Sequence, residues 1–329
     1  MIELCLHLPS MDECKNIDTY MEIFTPGYDG AAPDSGGSKM PGVRAVANVR
    51  KLFSRVLALL VAGIRPSRLY FGAEFCQRLI PTQDELAAAM DIAAKNALKF
   101  TLVTPYVTDD GLRALSKLFA YLEKKGDATE VVVNDLGVLS VLRGDFPRLV
   151  PVYGRLMNKM TRMPRFARQL PDRLNPQQLG AYQKCSLLLP HYQKFLSGMG
   201  VGRLEFDVVS QGIKMDFGGG PFRASFYYPW TYITSGRVCE AGSVSQPPEK
   251  KFSLDSDSRC GRECQKYYVH MFKEDCGCGE KCAHKSAESK YLFQKGNAVF
   301  MLCEAPRQVL ENLFSRGFDR VIYEPGFPI

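Results

Sequence analysis

Along the chain, short apolar and β-branched runs alternate with stretches whose apolar positions recur every three or four residues, the periods of strand and helix. The pattern predicts a strand over Val43–Val49 and a helix over Arg50–Ala62. Ser67–Gly72 reads as a short strand ending on a glycine, and Asp84–Leu98 as a helix with acids in its first turn. A strand over Lys99–Val107 leads into a helix over Asp109–Lys125, capped by Asp109 or Asp110. Glu130–Asn134 is a buried-type strand, Asp135 stands where it caps a short helix, and Leu149–Tyr153 is another strand. Residues 154–176 are basic and irregular. A helix over Gln177–Gly198 and strands over Arg203–Val209 and Phe222–Tyr228 follow. Residues 240–290 are polar and predict no long regular element, and Ala298–Cys303, Pro306–Arg316 and Arg320–Glu324 read as strand, helix and strand.

Repeated βα units predict a parallel sheet covered by helices, and about eight strand candidates between residues 43 and 324 favour an α/β, TIM-like (β/α)8 barrel over an open sheet. No Gly-x-Gly-x-x-Gly follows a strand, so the dinucleotide fingerprint is missing. Residues 26–42 hold five glycines and three prolines, a loop composition. The expected division is an N-terminal extension and loop over 1–42 and a barrel domain over 43–329, with a cysteine-rich insertion at 240–290.

Composition narrows the class. With 46% hydrophobic and 23% charged residues, the 329-residue chain is neither disordered nor low-complexity. Lys plus Arg number 42 against 35 Asp plus Glu, and the net +7 fits an anionic ligand without demanding nucleic acid. Glu3 and His7 stand where a signal peptide would carry a basic region and a long apolar core. The apolar run Val56–Ile64, flanked by Arg55 and Arg65, is too short to span a bilayer. No transmembrane segment and a cytoplasmic, reducing setting are therefore expected, and in such a setting clustered cysteines are more often metal ligands or redox groups than bridges.

Seven of the 11 cysteines fall between Cys239 and Cys303. Cys260-Gly-Arg-Glu-Cys264 brings two thiols to one centre from one turn of chain, and Cys239 lies 21 residues upstream. An iron–sulfur cluster needs four thiolates or close substitutes. Cys76 follows a strand, at the end where barrel sites assemble, and is either the fourth ligand or a small buried hydrophobe. A second set, Cys276, Cys278, Cys282 and His284, reads as a Cys3His zinc site or as a lysine-rich surface loop. Cys5, Cys14, Cys185 and Cys303 show no ligand spacing and are expected to be packing residues.

Three stretches carry a family resemblance: Leu69–Cys76 (LYFGAEFC), Val131–Val138 (VVVNDLGV), and Tyr232–Cys239 leading to Cys260-x-x-x-Cys264. In order and rough spacing these resemble the U-32 peptidase (collagenase-like) family, and most nearly its branch of paired subunits that hydroxylate ubiquinone precursors without oxygen. The resemblance covers roughly residues 43–325 and implies a TIM-like barrel with a [4Fe–4S] cluster on Cys76, Cys239, Cys260 and Cys264. It further implies an oxygen-independent hydroxylation role, prephenate as the oxygen donor, and a paired family subunit. An RNA-modifying hydroxylase and a non-catalytic iron–sulfur scaffold are the alternatives. The peptidase branch's downstream motif is not evident, so proteolysis is not expected.

Other side chains are weaker candidates. Glu74 and Asp135 fall at strand ends, as acid/base or orienting groups or as structural partners, an N-cap in the case of Asp135. Arg237, two residues before Cys239, is placed to neutralise an anionic cluster or to bind a carboxylate. Arg155, Arg162, Arg165 and Arg168 belong to a basic stretch that reads as a solvated face, a clamp for a di-acid, or an RNA or acidic-partner surface. No histidine has a Ser or Cys partner at motif spacing, so a nucleophilic triad is unsupported.

Overall fold

The computed structural model describes residues 2–24, 63–164, 173–244, 246–251, 260–271, 291–303 and 307–329. The expected loop at 26–42, strand at 43–49 and helix at 50–62 lie outside these residues, as do Arg165, Arg168, Cys276, Cys278, Cys282 and His284.

Eight parallel strands close into a barrel: β1 (Glu3–Leu8), β2 (Arg68–Phe71), β3 (Lys99–Val103), β4 (Glu130–Val133), β5 (Val150–Tyr153), β6 (Arg203–Asp207), β7 (Arg223–Tyr228) and the last strand of the chain (Phe318–Tyr323). The α/β, TIM-like barrel architecture is as expected, but its membership is not. The N-terminal segment is no extension, because Glu3–Leu8 pairs with both the last strand and β2 and so closes the barrel. Alternation explains the placement: Leu4, Leu6 and Leu8 join the core between sheet and helices, while Cys5 faces the barrel interior. Glu3 also accepts from Arg68 (2.9 Å) and Arg320 (2.7 Å), which ties the strand to both neighbours at the barrel floor.

Between β7 and the last barrel strand the chain builds a four-stranded sheet from β8 (Trp230–Ser235), β9 (Val269–His270), β10 (Leu292–Lys295) and β11 (Ala298–Leu302); the last barrel strand is thus β12. Its β8–β11, β11–β10 and β10–β9 pairings are antiparallel. The expected strand at 298–303 therefore exists but belongs to this second sheet. Among the described residues the helices are α1 (Met11–Cys14), α2 (Ile17–Glu22), α3 (Gln83–Lys95), α4 (Asp109–Lys125), α5 (Leu136–Asp145), α6 (Pro176–Tyr182), α7 (Pro190–Gly198), α8 (Glu240–Ser243) and α9 (Arg307–Ser315). The single helix expected over 177–198 is two, α6 and α7, because Pro190 can begin a helix but not continue one. No helix among the described residues is long and apolar enough to cross a membrane.

The barrel is filled, not open. One layer is built from Cys5, Tyr70, Val103, Val132, Val152, Tyr227 and Ile322, one residue from each of seven strands. The eighth strand, β6, contributes Glu205, whose carboxylate accepts from Tyr70 Oη (3.0 Å) and Tyr227 Oη (2.6 Å).

Candidate metal centre

Barrel enzymes place their chemistry at the C-terminal ends of the strands. In this chain that mouth holds a buried charged plug. Arg155, just past β5, is wholly buried and donates to Glu74 (Nε to Oε2, 2.9 Å), Asp207 (3.2 Å) and Glu324 (2.6 Å). Arg162 donates to the second oxygen of Asp207 at 2.8 Å. His7 Nε2 lies 2.8 Å from the Gly72 carbonyl, which can only accept, so this nitrogen carries a proton. Its Nδ1 faces Glu324 at 3.0 Å. Burial opposes a charge on His7, but the Glu324 hydrogen bond and the charges of Glu324 and Glu74 outweigh it and raise its pKa. Two guanidinium groups and an imidazole thus meet three carboxyl groups. His7, Glu74 and Glu324 bring ligand atoms within 4.8 Å of one another, yet Arg155 already supplies the cation there.

The second sheet covers this plug. The Trp230 carbonyl accepts from Arg155 (3.2 Å), the Tyr232 amide donates to Asp207 (3.2 Å), and Thr231 Oγ1 donates to the Val208 carbonyl (2.6 Å). Phe75 packs against Tyr232 and Phe300, and the Arg155 guanidinium lies over the Tyr227 ring at 3.6 Å. Arg155 and Arg162 are therefore internal ion-pair partners, which corrects their reading as surface cations for an anionic ligand or RNA. Their spacing looked like a solvated face because their acidic partners are 45 to 169 residues away.

Glu205, one layer lower, is pushed up to about 7 by burial, against the lowering effect of its two tyrosine hydrogen bonds. The folded state therefore holds a proton on Glu205 that the unfolded chain releases near the ordinary glutamate pKa. Folding stability from this group is full below that value and lost as pH rises through about 7. Glu205→Gln is expected to remove that loss, gaining about 3 kcal/mol relative to wild type at pH 8 over pH 4. Urea denaturation of both proteins across this range checks it. Parallel pH profiles would contradict it.

Beside the plug lies a cavity of about 120 Å³ lined by Cys76, Cys239, Cys260 and Cys264. Cys76 sits in the loop after β2, one residue beyond Phe75 and just ahead of a 3₁₀ turn at Gln77–Leu79. Cys239 is the N-cap of α8, its sulfur accepting from the Gly242 amide at 3.2 Å. The Cys260 sulfur accepts from the Arg262 amide at 3.4 Å, and Cys264 lies within a 3₁₀ turn at Glu263–Gln265. A Cβ at Gly242 would lie 3.5 Å from the Cys239 sulfur and 3.6 Å from that of Cys260, so both flank one backbone position.

A single zinc ion with Zn–S bonds of about 2.3 Å needs sulfurs under roughly 4 Å apart. Among the described residues no three of these thiols lie within 4.8 Å of one another. The cavity is also well below the roughly 300 Å³ at which pockets for organic cofactors begin. Its described lining includes Arg78, Arg237 and Lys250 and no Asp or Glu side chain. Burial, then repulsion among the thiolates, raises Cys76 to about 11 and also raises Cys239 and Cys264. Without a metal these three thiols are protonated at neutral pH, and a bound cation would remove the repulsion.

The other candidates resolve as follows. Asp135 caps α5, accepting from the Gly137 (2.7 Å) and Val138 (3.3 Å) amides, and is structural. Glu74 belongs to the buried plug. Arg237 is exposed at the cavity rim, with its guanidinium 3.5 Å from the Val107 carbonyl. Cys5, Cys14 and Cys303 are buried and Cys185 half-buried. Sequence reasoning missed His7, Asp207 and Glu324; the signal they offered is a titratable residue at or just past the C-terminal end of a barrel strand.

No family model matches this chain, and no curated protein does. Among solved structures, one described as "The Structure of the U32 Peptidase Mk0906" aligns with 98% of this chain and 92% of its own, at 10% sequence identity and a TM-score of 0.38.

Proposed function

We propose that the chain is an iron–sulfur protein of the U-32 peptidase type, with a [4Fe–4S] cluster on Cys76, Cys239, Cys260 and Cys264. The observation that carries this reading is the convergence on one small cavity of four thiols spread over 189 residues of sequence, with every other described cysteine elsewhere. Amide donors to two of the sulfurs and the cationic lining suit an anionic cluster.

When bound, such a cluster supplies one-electron transfer. The chain's own residues hold it, exclude water through Phe75 and Ile329, and present Arg78, Arg237 and Lys250 to an anionic reactant at the rim. The resemblance extends this to oxygen-independent hydroxylation of a quinone precursor, with prephenate as oxygen donor and a paired family subunit. The buried plug supports no role for Glu74 as acid or base, which leaves the cavity rim as the place where a reactant meets the chain.

Anaerobic purification with iron and sulfide counts tests the core of this reading. A broad visible thiolate-to-iron band with equal iron and sulfide is expected. Its absence after reconstitution, or stoichiometric zinc in its place, would overturn it.

A further inference from the structure

The four cysteines come from three separate parts of the fold: the loop after β2, the segment after β8, and the turns ahead of β9. One two-residue turn joins all three. Asn297 occupies the two-residue turn between β10 and β11, where Gly296 takes a φ of +61° at the first central position, as in a type II′ turn. Asn297 Nδ2 lies 2.7 Å from the Phe75 carbonyl, 2.5 Å from the Gly236 carbonyl and 2.9 Å from Tyr106 Oη. Carbonyls only accept, so the amide nitrogen, not its oxygen, must face them. The Phe75 carbonyl immediately precedes Cys76, and Gly236 precedes Cys239 by three residues.

The same turn reaches the third group. A Cβ at Gly296 would come within 3.2 Å of Cys264 Cβ, so the turn is packed against that ligand's stem. The main chain adds a fixed point, since the Asn297 carbonyl accepts from the Gly236 amide at 3.0 Å. Tyr106, on the loop after β3, closes the ring by donating to the Gly236 carbonyl at 2.8 Å. Asn297 is half-buried at the cavity wall, and its amide nitrogen is taken up by the two backbone carbonyls.

We infer that Asn297 is a positioning residue for the four-thiol centre, a clamp whose two amide hydrogens fix the spacing of the Cys76 and Cys239 segments while its turn packs against Cys264. Its relation to a cluster rests on the reading above, but the clamp acts on the thiols whether or not a metal is present. Groups that orient metal ligands change affinity by about 10–100-fold when removed. Asn297→Asp keeps the shape and loses both donors, turning a carboxylate oxygen toward two carbonyls. If only shape mattered, Asn297→Asp would behave as wild type and Asn297→Ala would not.

Two readouts on the full chain test this. In the metal-free protein, alkylation of each cysteine by N-ethylmaleimide is followed by peptide mass spectrometry. Asn297→Asp is expected to label Cys76 and Cys239 on the order of tenfold faster, with Cys185 unchanged. In anaerobically reconstituted protein, iron release to a ferrous chelator is expected to quicken on the order of tenfold, and the midpoint potential to shift. Tyr106→Phe should move both in the same direction by less, and serves as the test if Asn297→Asp does not fold. Unchanged labelling and unchanged release in a folded variant overturn the clamp. A wild-type chain that binds no iron, while labelling still responds to Asn297→Asp, overturns the cluster and leaves the clamp standing.

Discussion

Arg155→Met is expected to lower folding stability by about 3–5 kcal/mol, the range for orphaning a partner in a buried ion pair. The loss concentrates on one carboxylate. Asp207 keeps Arg162 at 2.8 Å and Glu324 keeps His7 at 3.0 Å, but Glu74, wholly buried, retains only the Asn134 amide at 3.5 Å. A carboxylate in that position must either stay charged with no cation hydrogen-bonded to it or take up a proton, and both cost free energy. Arg155→Lys should recover only part of the loss, because one ammonium cannot span three carboxylates or lie flat over the Tyr227 ring. Adding Glu74→Gln to Arg155→Met should restore more than the lysine does. Urea denaturation of the four proteins measures this, and a loss under about 1 kcal/mol for Arg155→Met would mean that the plug is not held by its arginine.

The second large effect concerns the thiols. Cys76→Ala, Cys239→Ala, Cys260→Ala and Cys264→Ala are each expected to reduce iron retained after anaerobic desalting by on the order of tenfold. Cys185→Ala and Cys303→Ala, which lie outside the cavity, should retain it in full. Because three of the ligand thiols must lose protons to bind, iron uptake by the wild type should weaken as pH falls. Iron unchanged in Cys260→Ala but abolished in Cys276→Ala would show that the ligand set is wrong.

What the sequence could reveal follows from range. The βα alternation is local, and it predicted the barrel. The pair Cys260 and Cys264 is local too, and Cys76 was legible as a strand-end cysteine. The N-terminal strand was not legible as part of the barrel, because Glu3–Leu8 is followed by a long Gly/Pro-rich stretch and its only partners are at residues 68–71 and 320–323. Ala298–Leu302 has a strand pattern that fits either sheet, and only its antiparallel pairing with Trp230–Ser235 assigns it. Arg155 misled for the same reason: the neighbours that define it are 52, 81 and 169 residues away.

The proposed function requires that four thiols from distant segments hold one multi-atom iron–sulfur centre beside a closed barrel mouth. Native mass spectrometry of the anaerobically reconstituted chain weighs that group directly. A mass increment of four irons and four sulfides, lost in Cys76→Ala, is expected. An increment of a single metal ion, or one that survives Cys76→Ala, would contradict it.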